Sequence, residues 1–137
     1  MLLTFEARWL TRVAAAIAIR DGEVLVTRRA PGQKLEGFWE FPGGKLEGDE
    51  QPAECIVREL AEELGVVCTA GEIVAESVYE YPGGAITLIG IRVTLHDEDI
   101  RLSVHDAFAW VPAGNLLTLR LAPADVEIAE EIVRRNG

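Results

Sequence analysis

The chain has 137 residues, 49% of them hydrophobic, and a formal net charge of −10. That length suits a single domain over residues 1–137, with enough apolar residues for a sizeable core. The acidic balance argues against charge-driven binding to a nucleic acid polymer or an anionic membrane surface, and leaves room for a small anionic ligand at a local site.

Taken in chain order, the apolar run Val13–Ile19 comes first. It follows Glu6, Arg8 and Arg12, carries no convincing cleavage site and is too short to span a bilayer. A cytoplasmic location is the expectation. "VAAAIAI" and "RDGEVLVTRR" read as two strands joined by a tight Asp21-Gly22 turn. "FWEFPGG" reads as a short strand ending at a glycine turn.

Residues Pro52 to Leu64 read as a helix. Pro52 suits the first helical position, Glu54 can help cap the start, and Gly65 fits a stop. Ala53, Ile56, Val57, Leu60 and Leu64 form its apolar stripe. Strands are expected at about 67–80, 85–95 and 106–111, with a Tyr81-Pro82-Gly83-Gly84 turn between the first two. "APADVEIAEEIVRR" reads as a second helix with Val126, Ile128, Ala129, Ile132 and Val133 available to pack. The order of strands, helix, strands, helix predicts an α/β (α+β) domain with a mixed sheet sandwiched between helices. Cys55 and Cys68 match no zinc or redox spacing and read as two reduced thiols.

The first helix carries an unusual charge pattern. Glu59, Glu62 and Glu63 fall on one side, with Arg58 beside them and Glu47, Asp49 and Glu50 in the preceding loop. Like charges at these spacings cost about 0.2–0.5 kcal/mol each. A solvated acidic face is one account. The other is a cation between converging carboxylates, and hard oxygen donors without His or Cys favour Mg²⁺ or Mn²⁺. Mg²⁺ commonly shares its site with substrate phosphates. Arg28, Arg29, Lys34 and Lys45 lie just ahead in sequence. Gly43 and Gly44 suit both a tight turn and a close backbone approach to a ligand.

The stretch "GGKLEGDEQPAECIVRELAEELGV" resembles the Nudix box, in which a glycine is followed at fixed spacing by a glutamate and then by R-E-hydrophobic-x-E-E-x-G-hydrophobic. Gly44, Glu50, Arg58, Glu59, Leu60, Glu62, Glu63, Gly65 and Val66 match it. "VAAAIAIRDGEVLVTRRAPGQKLEGFWEFPGGK" and "APAD" look like the MutT-like branch. The resemblance implies a Nudix fold and metal-dependent hydrolysis of a nucleoside triphosphate to monophosphate and pyrophosphate, by a monomer or homodimer. It implies Glu59, Glu62 and Glu63 as metal ligands, Glu59 also as a candidate base, and Glu50 and the Gly44 carbonyl as supports of the metal shell. Arg58 would orient a glutamate. Arg29, Phe41, Lys45 and Asp125 would bind substrate. An ADP-ribose or sugar-nucleotide hydrolase and a nucleotide-sensing domain are the rival readings.

The pattern breaks at one place. Many MutT-like sequences carry a glutamate six residues before the tryptophan of a late strand. Here that tryptophan is Trp110 and the position holds Val104, with His105 and Asp106 next to it as candidate substitutes. Asp125 falls where enzymes of guanine oxidation often carry Asn. An ionised Asp only accepts hydrogen bonds and suits a cytosine amino group, a protonated one also donates and suits an oxidised purine, and helix capping remains an alternative. Trp39 and Tyr81 suit base stacking or core packing, and Pro82 suits an ADP-ribose enzyme or an ordinary turn.

Overall fold

The computed structural model describes residues 10–136. Seven strands among them form one mixed sheet: β1 (Leu10–Arg20), β2 (Glu23–Arg29), β3 (Trp39–Glu40), β4 (Gly43–Lys45), β5 (Cys68–Tyr81), β6 (Gly84–Leu95) and β7 (His105–Pro112). Helix α1 (Pro52–Leu64) lies between β4 and β5, and α2 (Val126–Asn136) follows a short 3-10 turn at Pro123–Asp125. No helix of the described residues is long and apolar enough to cross a membrane.

The path β3-β2-β1-β6-β5 runs through the sheet, with β4 added on β1 and β7 on β2. Only β1 and β6 pair in parallel. The β1–β2 hairpin closes as expected. Asp21 and Gly22 both take positive φ, 53° and 78°, as a type I′ turn requires. The two strands pair only at Ile19–Val24 and Arg20–Glu23 before they diverge. Past that point β1 is flanked by β4 and β6, and β2 by β3 and β7. The sheet therefore splits into two wings.

The near-continuous apolar run of β1 is explained by burial on both faces. Ala14, Ala16 and Ala18 pack with Ile56, Leu60 and Leu64 of α1. Ala15 and Ile17 pack with Ile128, Ala129 and Ile132 of α2.

Two sequence expectations fail. Gly43-Gly44 is not a turn but strand β4, paired with Ala15 and Ala14. The apolar stripe of α1 is also rotated from the one read off the sequence. Ala53 and Val57 are exposed, and Cys55 joins Ile56, Leu60 and Leu64 in the core. Residues four apart lie above one another on a helix, so burying Cys55 draws Glu59 and Glu63 toward the sheet. Both are half-buried. The helix ends as expected, with Gly65 in the left-handed conformation at φ 65°.

Candidate active site

Strand β4 sets the geometry. A Cβ on Gly43 would stand 1.9 Å from the Ala14 carbonyl oxygen, and one on Gly44 would stand 2.3 Å from the Glu59 carboxylate. Backbone and carboxylate therefore meet with no side chain between them. The Cys55 thiol donates to the carbonyls of Gly44 (3.4 Å) and Lys45 (3.5 Å). Burial pushes that thiol up to about 11, with Glu50 adding to it, so it stays a protonated donor. Cys55 is thus part of the site's frame, which its spacing in the sequence did not signal.

Arg58 is the hub. Its guanidinium grips Glu50 with both ends, Nε to Oε2 at 2.7 Å and Nη2 to Oε1 at 2.9 Å. Nη1 reaches Glu59 Oε1 at 3.1 Å and Glu62 Oε1 at 3.2 Å, and Nη2 donates to the Lys45 carbonyl at 3.2 Å. The hydrogen bonds from Arg58 and from the Glu47 backbone lower the Glu50 carboxyl to about 2. Burial raises Glu59 above its usual range, and Arg58 opposes the shift. The side chain of Glu62 is 58% exposed.

Glu63 differs from the others. Burial pushes it up to about 7, against the opposing influence of His105, while Glu59 and Glu40 push the same way as burial. Its Oε1 is buried and has no hydrogen-bond partner.

Among the described residues no three His, Cys, Asp or Glu side chains gather in a metal-holding group. The Arg58 guanidinium stands between Glu50, Glu59 and Glu62 and offsets the like-charge repulsion among these that the helix sequence raised. The Gly44 carbonyl faces the Cys55 thiol, and the Lys45 carbonyl joins the network while its side chain lies in an exposed position. The donor set nonetheless fits a divalent ion in kind. It consists of hard carboxylate oxygens, includes the unpartnered Oε1 of Glu63, and lies in a glycine cradle that admits the Glu59 carboxylate.

The second half of the site lies on the other wing. Arg29 does not stand free for substrate. Its Nε and Nη2 each lie 3.0 Å from Glu40 Oε1, and Nη1 donates to the Lys34 carbonyl at 3.2 Å. Glu40 Oε2 in turn meets His105 Nε2 at 3.0 Å. Arg28 forms a two-point pair with Asp106, at 2.8 and 3.3 Å, and stacks over Trp39 with its centre 5.5 Å from the ring.

The ring of Phe41 is core, 3% exposed, and its backbone N–H donates to Asp125 Oδ2 at 3.0 Å. Asp125 is only 5% exposed. Burial pushes its carboxyl up to about 7 although the Phe41 N–H favours the ionised form. Val104 is half-buried just before β7, and Tyr81 and Pro82 form the tip of the β5–β6 hairpin. Glu40 was missed by sequence reasoning. Its only signal was its place in "FWEF", alternating with two aromatic residues.

The NUDIX domain model matches residues 10–132. The chain belongs to the Nudix family. It is 39% identical over 121 residues to the CTP pyrophosphohydrolase of Escherichia coli (strain K12), covering 88% of this chain and 90% of that one. It is 36% identical over 116 residues to a putative 8-oxo-dGTP diphosphatase 2 of Mycobacterium tuberculosis (strain ATCC 25618 / H37Rv), covering 82% and 81%. Among solved structures, a MutT protein from Methanosarcina mazei Go1 superposes with a TM-score of 0.83 at 27% identity over 93% of this chain and 95% of that one. The protein is accordingly a Nudix hydrolase with the mixed sheet and flanking helices of its family. Nudix hydrolases generally use divalent metal ions and act on small nucleotides. The Nudix box occupies β4, the following loop and α1, so the residues Gly44 to Val66 that carried the resemblance are also those that Arg58 and Cys55 tie together.

Proposed function

We propose that the chain hydrolyses nucleoside triphosphates to nucleoside monophosphate and pyrophosphate, and that it acts on 8-oxo-dGTP or on cytosine nucleotides as a sanitiser of the nucleotide pool. The observation that carries this reading is the Nudix-box network, in which the Arg58 guanidinium holds Glu50, Glu59 and Glu62 beside the Lys45 carbonyl. In this reading Glu63 serves the phosphates and Asp125 the base, and burial pushes each carboxyl up to about 7. Relatives named for CTP and for 8-oxo-dGTP support the substrate class.

Glu59, Glu62, Glu63 and Glu50 are the residues that would hold Mg²⁺ or Mn²⁺. When bound, such an ion lowers the pKa of a water and neutralises charge on the phosphate chain. The remaining work falls to the protein. Glu59 or Glu63 accepts the proton of the attacking water, and burial raises both carboxyls above their usual range, which suits that role. The oxygen of that water bonds to phosphorus as the anhydride bond breaks, and pyrophosphate leaves. Arg58 holds Glu50 and Glu59 in place. Asp125 reads the base, with its second oxygen anchored to the Phe41 N–H.

A panel of nucleoside triphosphates, with ADP-ribose as a control, incubated with Mg²⁺ and scored for pyrophosphate against orthophosphate tests this. Pyrophosphate from oxidised guanine or cytosine nucleotides is expected. Release of orthophosphate, or cleavage of ADP-ribose alone, would overturn the reading.

A further inference from the structure

The register of β7 against β2 slips beside the site. Ala107 stands opposite Arg28 and His105 opposite Arg29, so Asp106 is an extra residue. A bulge of this kind re-aims the side chains next to it. Asp106 turns out to Arg28, whereas His105 turns in, and only 3% of its side chain is exposed.

The contacts of the ring assign its hydrogen. Its Nε2 lies 3.0 Å from Glu40 Oε2, and the other oxygen of Glu40 already accepts from Arg29. A carboxylate held by an arginine is an acceptor, so Nε2 is the donor. In the neutral imidazole this leaves Nδ1 as an acceptor. Nδ1 is buried and unpartnered, as is Oε1 of Glu63. Two residues before His105, the Ser103 hydroxyl donates to the Glu63 carbonyl at 3.2 Å, which lays this segment against the end of α1. Two buried acceptors on adjoining segments each lack a donor, which is costly. A water molecule brings two hydrogens.

We infer that His105 Nδ1 and Glu63 together hold the attacking water, with Glu40 and Arg29 fixing the ring from behind. His105 then stands in, from the next position along the chain, for the glutamate that the family pattern places where Val104 stands. This rests on the hydrolytic reading above.

The two ring nitrogens can be tested apart. In His105→Gln the amide reaches the place of Nε2 and keeps the contact with Glu40, but nothing replaces Nδ1. In His105→Asn the shorter amide lies near Nδ1 and loses Glu40. His105→Gln is expected to lower kcat about tenfold to a hundredfold with little change in KM, and His105→Asn to retain more turnover than His105→Gln. Adding Val104→Glu to His105→Gln should recover at least tenfold. Circular dichroism checks that each variant is folded. In the metal-free wild type, nitrogen NMR of the ring above neutral pH should show the hydrogen on Nε2.

Wild-type kcat in His105→Gln, no recovery in a folded double variant, or a hydrogen on Nδ1 would each overturn the assignment. If the wild type releases pyrophosphate from no nucleoside triphosphate, the proposed function falls instead, and the NMR measurement still tests the ring.

Discussion

Asp125 illustrates how much one buried proton can control. Its carboxyl is pushed from 3.8 up to about 7 by burial, with the Phe41 N–H resisting. Below pH 3.8 both folded and unfolded chains hold the proton. Between 3.8 and about 7 the unfolded chain releases it while the folded chain keeps it, so stability declines as pH rises and is level again above that window. Asn can accept from Phe41 without ionising. The melting temperature of metal-free Asp125→Asn is therefore expected to rise relative to wild type as pH passes from 3.8 to about 7. A gap that does not widen with pH would contradict the buried carboxyl.

The same substitution should shift kcat/KM away from cytosine nucleotides and toward 8-oxo-dGTP by roughly tenfold or more, since a good base contact is worth about 1–3 kcal/mol. The family motif made this residue visible in the sequence. Its burial and its Phe41 partner were not visible, because the contact joins segments far apart in the chain. Arg29 carries the opposite lesson: its charge was legible, and the Glu40 carboxylate that engages it was not.

At the scale of elements, α1 was legible to the residue. Pro52, the Glu54 cap on the Gln51 N–H at 2.8 Å, and Gly65 are local signals that act at the helix ends. Which face is buried depends on the sheet beneath it, and Ala53 and Val57 were wrongly placed for that reason. Strand β4 was illegible because two glycines carry turn chemistry in isolation, and only the approach of Ala14 and Glu59 explains them. The two glycines should behave differently. Gly43→Ala drives a Cβ into the Ala14 backbone and should cost about 1–3 kcal/mol or more. Gly44→Ala meets the mobile end of Glu59 instead, so its melting temperature should stay near wild type while turnover drops sharply. Denaturation curves and turnover measured on the same samples separate the two effects. Wild-type turnover in Gly44→Ala would show that the present position of Glu59 is not needed for hydrolysis.

The whole molecule carries 23 acidic against 13 basic residues. Arg28, Arg29 and Arg58 are all engaged by carboxylates. Any salt relieves such self-repulsion by screening, whereas a bound ion adds stability through its own affinity. Millimolar Mg²⁺ is therefore expected to raise the melting temperature beyond KCl of equal ionic strength, and Glu62→Gln with Glu63→Gln should remove the excess. Equal shifts for the two salts would mean that the acidic face of α1 is only solvated surface.

The early parting of β1 from β2 also bears on how such a protein can change over generations. The box residues lie on β4 and α1, attached to the β1 wing, whereas Arg28, Trp39 and the neighbours of Asp125 lie on β2, β3 and the approach to α2. On the proposed reading, substitutions around Asp125 can retune which base is admitted while α1 with its arginine hub, and the row Arg29, Glu40 and His105, stay as they are. A lineage can thus exchange one nucleotide for another by small steps, none of which requires the cleavage chemistry to be invented again.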